Sequence, residues 1–343
     1  MKDNTESFKP YEHIFFVMVM LAVLILCVCA GSVSIVPKDT ITAIWNTIFN
    51  LPIPEGISQP IIVFVRLPRV ICVALVGASL SLCGGAMQGL LRNPLADGST
   101  LGVSSGASLG AVVAIAFGIV IPGSAIAGTM VMAMLFAFLS LVIILAITYK
   151  MDYSLSTNTI ILTGVIFTMF AHSITSLIIT FAGERIKSIM FWTMGSLAGS
   201  NYTNALTLLI ALVICGTIIM CCSRELNAFA IGEDNARHIG VNVKKVKLVV
   251  MISVSALIGV CVSIGGTIGF VGLVMPHMTR MVTGPNHKRL LPALLYSGAT
   301  FLMLADLVGR ILLNPLELPI GVVTSIVGSI VFIYIFYSSR KGK

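Results

Sequence analysis

The chain has 343 residues, of which 57% are hydrophobic and only 10% charged, with a mean hydropathy of +1.04. A soluble domain of ordinary usage carries about a quarter charged residues, and no polar interval here is long enough to build one. The formal net charge of +8 does not point to nucleic acid, because the cations sit in short loops beside apolar runs and no basic helix with interleaved aromatics occurs.

In chain order, the sequence is polar through His13 and then apolar from Ile14 to about Val36. That run exceeds the ~7–15-residue core of a cleaved signal, which predicts a retained first span. Further apolar runs lie near 68–91, 99–120, 124–148, 158–182, 204–222, 246–269, 271–283, 292–313 and 319–337. Against the ~20 residues a spanning helix needs, they predict an all-α polytopic membrane protein with about ten transmembrane helices in one domain, residues 1–343. The eighth run is too short to cross unaided and holds Pro276 and His277, so a half-helix or a shared crossing is expected. Pro37 to Gln59, with Pro52, Pro54 and neighbouring Pro60, reads as an irregular external connection. Ser188 to Asn201, carrying Trp192, Met194, Gly195 and Gly199, reads as a short helix at the outer interface.

Placing both termini in the cytoplasm puts most of the 21 lysines and arginines, Lys2, Arg92, Lys150, Lys247 and Lys343 among them, on the cytoplasmic side. Two polar breaks interrupt Gly-rich apolar sequence. Asn93, Pro94 and Asp97 follow the first, where hydrocarbon would reject them unless protein or a wet path shelters them. Gly102, Gly106 and Gly110 then fall four apart, leaving bare backbone on one helix face for close approach. Gly84-Gly85 before Pro94 and Gly265-Gly266 before Pro276 form an echo that hints at a duplicated transporter fold.

Enzymatic chemistry finds no footing. GxxxxGK[ST], HExxH, GxSxG and paired catalytic carboxylates are absent, and the Gly-Lys pair Gly342-Lys343 ends the chain. The eight cysteines show neither CxxC nor zinc spacing and read as small apolar residues. His172 and His277 read as buried, satisfied side chains rather than metal ligands, so no metal or other cofactor is expected.

Two groups of residues stand out as sites. Within the polar interval from Ser223, Gly232 breaks a turn, Glu233 and Asp234 favour a helix start, and Gly240 suits a C-cap. Phe229, Ile231, Ala236 and Ile239 give this unit apolar surface, either for a groove on a cytoplasmic partner or for packing on its own bundle. Arg66, Arg69 and Arg310 lie at predicted outer span ends, as snorkelling anchors or as a docking surface for a partner's carboxylates. Asp306 and Arg310, one turn apart, can pair with each other. Glu317, between Pro315 and Pro319, reads as a structural turn residue.

Several blocks carry a family resemblance. RLPR at Arg66–Arg69, GGAMQGLLRNPLAD at Gly84–Asp97, LGVSSGASLG at Leu101–Gly110, FVGLVMPHMTR at Phe270–Arg280, LADLVGR at Leu304–Arg310 and ELPIGVVTSIVG at Glu317–Gly328 resemble FecCD-type permease subunits of iron–siderophore and cobalamin ABC importers. The resemblance implies a type II ABC importer permease fold in a bacterial cytoplasmic membrane. A second permease chain, identical or paralogous, would share the path, two cytoplasmic ATPase subunits would drive it, and an extracytoplasmic substrate-binding protein would deliver an iron(III)–siderophore as cargo. It further implies that 223–243 is the coupling segment, with Phe229, Gly232, Glu233, Ala236, Ile239 and Gly240 on the ATPase. Arg66, Arg69 and Arg310 would face the binding protein. Asn93, Leu95, Thr157 and Asn158 would form the cytoplasmic gate. Gly85, Gly89, Gly102, Gly106, Gly265 and Gly269 would serve helix packing. A cobalamin or haem importer is the alternative within the family, and an ion-coupled secondary transporter using Asp97, Asp306 or Glu317 is the alternative outside it.

Overall fold

The computed structural model describes residues 8–31, 36–49, 51, 59–121 and 127–341. Expectations that fall on Lys2, Pro52, Pro54, Gly342 and Lys343 lie outside the described residues. Ten helices answer the ten apolar runs: α1 (Pro10–Cys29), α3 (Leu67–Leu91), α4 (Val103–Phe117), α5 (Ala127–Met151), α6 (Thr157–Phe181), α8 (Tyr202–Cys221), α11 (Val243–Gly265), α12 (Val271–Thr283), α13 (His287–Ile311) and α14 (Ile320–Lys341). Among the described residues, seven helices are long and apolar enough to cross a membrane, and Val103–Phe117 and Ile320–Tyr334 are shorter apolar helices.

Among the described residues four short α-helices lie between these: α2 (Pro37–Ile48), α7 (Ile186–Thr193), α9 (Ser223–Phe229) and α10 (Glu233–His238). The connection expected to be irregular from Pro37 thus contains a regular 12-residue helix. Pro37 opens it, at the position where a missing N–H costs nothing and the fixed φ suits a helix start. Likewise α7 begins at Ile186, earlier than the Ser188 of the sequence reading.

The core is built on α3, which packs antiparallel to α13. Gly77 lies against Gly298, Gly85 against Leu294 and Gly89 against His287, one series rising as the other falls. A Cβ at Gly84 would overlap the Gly272 carbonyl of α12, so these two backbones meet without intervening side chains. Gly106 and Gly110 give α4 the same close approach to α5, at Ser140 and Met132. Such contacts replace the hydrophobic drive that lipid does not supply between helices. Gly265 touches Leu197, whereas Gly269 has only Ser325 Oγ near its Cβ position, at 3.8 Å.

Two of the helices start inside the bundle. α12 spans 13 residues, ~20 Å at the helical rise, against a hydrocarbon core of ~30 Å. It begins beside Gly84, two-thirds of the way along α3, after the non-helical stretch from Gly266 to Phe270. α4, 15 residues long, likewise follows a folded-in loop from Arg92 to Gly102, whose Asp97 Cβ and Gly272 are neighbours. The eighth run is therefore a half-helix. The suspected echo is unequal in structure, because Pro94 sits in a loop while Pro276 lies inside α12.

Candidate functional site

At one end of the bundle the chain gathers five charges. A π-helical turn, Ile61–Arg66, runs into α3 and turns Arg66 toward the C-terminal end of α1. Its Nη1 donates to the carbonyls of Val28 and Cys29 at 3.1 and 3.0 Å. Arg310 donates to those of Ala30 and Cys27 at 3.1 and 2.9 Å. Two guanidinium groups thus cap a helix C-terminus, where orphan carbonyls and the macrodipole favour cations. Arg69 bridges Asp306 Oδ1, through Nε and Nη2 at 3.1 and 2.9 Å, and Glu317 Oε2, through Nη1 at 2.8 Å. Asp306 also ion-pairs with Arg310 Nε at 2.9 Å across one helical turn. All three arginines are buried, their donors directed into the bundle. A cavity of about 220 Å³ opens beside Arg69, Asp306 and Glu317.

A larger cleft of about 580 Å³ occupies the place where α4 and α12 are interrupted. Hydroxyls line it from Ser104, Ser105 and Ser108 of α4, Thr175 and Ser176 of α6, and Thr193 and Thr267. Asp97 and His172 add the titratable groups, and Gly98, Gly269 and Gly272 expose backbone. His172 is exposed along this wall rather than buried, because its side chain faces the open cleft. Polar non-helical backbone at membrane depth is tolerated where it lines such a wet space. The hydroxyls were not among the predicted site residues. Their signal was the run SSGAS, which sets Ser104, Ser105 and Ser108 on adjoining helical faces.

The opposite end carries residues 223–243, the segment expected to couple to an ATPase. Phe229 and Ala236 are fully buried in the chain's own core, while Ile231 and Ile239 are 57% and 64% exposed. The segment therefore divides between the two readings of its apolar residues: half pack inward and half remain as surface. Gly232, at φ +112°, turns the chain between α9 and α10. Gly240, at φ +92°, closes α10 with its N–H on Arg237 O and the next N–H on Ala236 O, a Schellman end that requires a left-handed residue. Glu233 points inward to Lys247 Nζ at 2.7 Å and accepts from Thr157 Oγ1 at 3.0 Å.

Both expected gate loops adjoin this segment. Arg92, in left-handed conformation at the end of α3, lies beside Gly232. Asn93 Oδ1 then accepts from Leu95 N at 2.9 Å, projecting the exposed Leu95 side chain. On the α5–α6 loop, Asp152 accepts from Ser154 N, Ser154 Oγ and Ser156 N at 2.8, 2.6 and 3.0 Å. Those hydrogen bonds, with the Ser154 hydroxyl leading, hold its carboxyl well below the usual range. The loop presents Thr157 to Glu233 and leaves Asn158 exposed. Among the described residues no cluster of three His, Cys, Asp or Glu could hold a metal ion.

The sequence matches the model of the FecCD transport family over residues 19–338. It is 41% identical to YvrB, an ABC transporter permease protein of Bacillus subtilis, over 93% of this chain and 91% of that one. It is 35% identical to the cobalamin import system permease protein BtuC of Halobacterium salinarum, over 87% and 79% respectively. A solved structure of a metal-chelate type ABC transporter in an inward-facing conformation superposes with a TM-score of 0.84 at 30% identity, covering 96% of this chain and 100% of that one.

Proposed function

Since the chain belongs to the FecCD transport family, and is thereby the multi-pass permease of an ABC importer rather than an enzyme, we propose that it carries an iron(III)–siderophore across the bacterial cytoplasmic membrane. The observation that carries the passage is the hydroxyl-lined cleft of about 580 Å³ between the two interrupted helices. Hydroxyls both donate and accept, so they solvate a bulky polar chelate without holding it as fixed charges would. A second permease chain completes the wall. The substrate-binding protein docks at the arginine end, whose shape Arg66, Arg69 and Arg310 maintain from within. The ATPase docks on Ile231, Ile239 and the exposed face of α10, and both termini lie on that cytoplasmic side.

Cobalamin is the second reading, favoured by the 35% identity to a cobalamin import permease. An ion-gradient carrier is disfavoured because Asp306 and Glu317 are both engaged by Arg69. The test starts from detergent-extracted tagged protein, wild type against an I231E/I239E variant. Co-purification of an ATPase with wild type alone supports the coupling surface; an ATPase absent from both sinks the importer reading. Proteoliposomes containing the complex and its binding protein are then offered ⁵⁵Fe-ferrichrome or ⁵⁷Co-cyanocobalamin. ATP-dependent uptake of the first supports the siderophore cargo, and uptake of the second alone replaces it with cobalamin.

A further inference from the structure

The coupling segment is fastened to two different parts of the bundle. α9 is tied to the start of α13: Asn227 Nδ2 donates to Asn286 Oδ1 at 2.8 Å, and Asn227 Oδ1 accepts from His287 N at 2.8 Å. α10 is tied instead through Lys247, near the start of α11. This lysine side chain is 0% exposed, and its Nζ sits 2.7 Å from the Leu155 carbonyl and 2.7 Å from Glu233 Oε1. The same Glu233 oxygen accepts from Thr157. Between the two fastenings lies Gly232, whose positive φ makes the turn from α9 into α10.

We propose that Lys247 is the positioning residue that joins the coupling helix to the α5–α6 loop, so that displacement of α10 is delivered to Leu155, Thr157 and the start of α6. The proposal rests on the importer reading above and identifies the link within it. Apolar contacts are non-directional and let helices slide. Two charge-assisted hydrogen bonds at 2.7 Å from one buried ammonium fix distance and direction together. A fully buried ammonium is costly unless both bonds persist, so α10 and the loop move together or the bridge breaks. α6 is the helix that carries Thr175 and Ser176 on the cleft wall, which gives the motion an address.

The test uses the permease with its co-purified ATPase in proteoliposomes. A cysteine is introduced at exposed Asn158 in a C221S background, and its labelling by a membrane-impermeant maleimide is timed with and without ATP–vanadate. K247M is expected to shrink the ATP-dependent change in labelling rate about tenfold while the ATPase still co-purifies through Ile231 and Ile239, and E233A to shrink that change to the same extent. E233Q, which keeps an acceptor oxygen, retains the response. The double variant E233A/K247M is no worse than either single one, since both cut the same link. A residue that merely supports folding would lower yield, leave the response of the folded fraction intact and show additive effects. Should K247M fail to fold, E233A carries the test, because Glu233 is half-buried. A full ATP response in E233A and any folded K247M overturns the proposal. A wild type without an ATPase or any ATP response removes the importer reading, and the proposal with it.

Discussion

Replacing Arg69 by methionine keeps much of the side chain's length and removes its charge. The structure gives the two limbs of its fork unequal weight. Asp306 is 2% exposed and Arg69 11%, whereas Glu317 is 37% exposed. Breaking a buried ion pair costs roughly 3–5 kcal/mol because a charge is left unpaired. Arg310 remains 2.9 Å from Asp306, which places R69M near the lower bound, about 3 kcal/mol. The Glu317 limb is screened by solvent, so E317Q costs about 0.5 kcal/mol. At about 2–4 °C per kcal/mol for a chain of this order, R69M lowers the apparent Tm by roughly 6–12 °C and E317Q by roughly 1–2 °C. A thiol-reactive fluorophore reads this directly in detergent, because Cys27, Cys29, Cys72, Cys83 and Cys261 are free and buried and react on unfolding. Equal shifts for the two variants, or no shift for R69M, would refute the assignment of Arg69 to an internal bridge.

Two further outcomes follow from local geometry. Gly84→Val drives a side chain into the Gly272 carbonyl of α12 and is expected to cost about 1–3 kcal/mol or more. Gly269→Ala, whose Cβ would meet only Ser325 Oγ at 3.8 Å, stays within about 0.5 kcal/mol, and the same thermal assay ranks them. Asp152 has a depressed folded-state pKa, so its contribution is full above the ordinary carboxyl value of about 3.9 and is lost only as pH falls through the lower folded value. Amide exchange at Ser154 and Ser156 therefore stays protected in wild type at pH values just below 4 and is unprotected in D152A at neutral pH. Loss of protection in wild type already at pH 5 would contradict the hydrogen-bonded turn.

Much of this architecture was legible in apolar run lengths. The half-helix α12 could be read from a run too short to cross, and Gly106 and Gly110 from their spacing. What escaped was whatever depends on partners far along the chain. Lys247 reads as one more cytoplasmic loop cation, yet it is entirely enclosed, because its partners Leu155 and Glu233 come from a separate loop and a separate helix. Arg66 and Arg310 find their acceptors on carbonyls at the end of α1, and Arg69 on Asp306 and Glu317, partners that no local spacing announces. Pro37 reads as a breaker and serves as a helix start. Phe229 and Ile239 look equivalent in sequence, and only packing separates the buried one from the exposed one.

The Arg69–Asp306 bridge also has a history within each newly made molecule. The two residues are 237 positions apart, so at about 5–20 residues per second of synthesis the arginine waits on the order of 10–50 s for its counter-ion. Arg66 faces no such delay, since the carbonyls it caps are already made. During the wait the Arg69 guanidinium lacks the carboxylate beside which it is buried in the finished bundle, and burying it unpaired is costly. The last third of the chain therefore licenses the first third to settle.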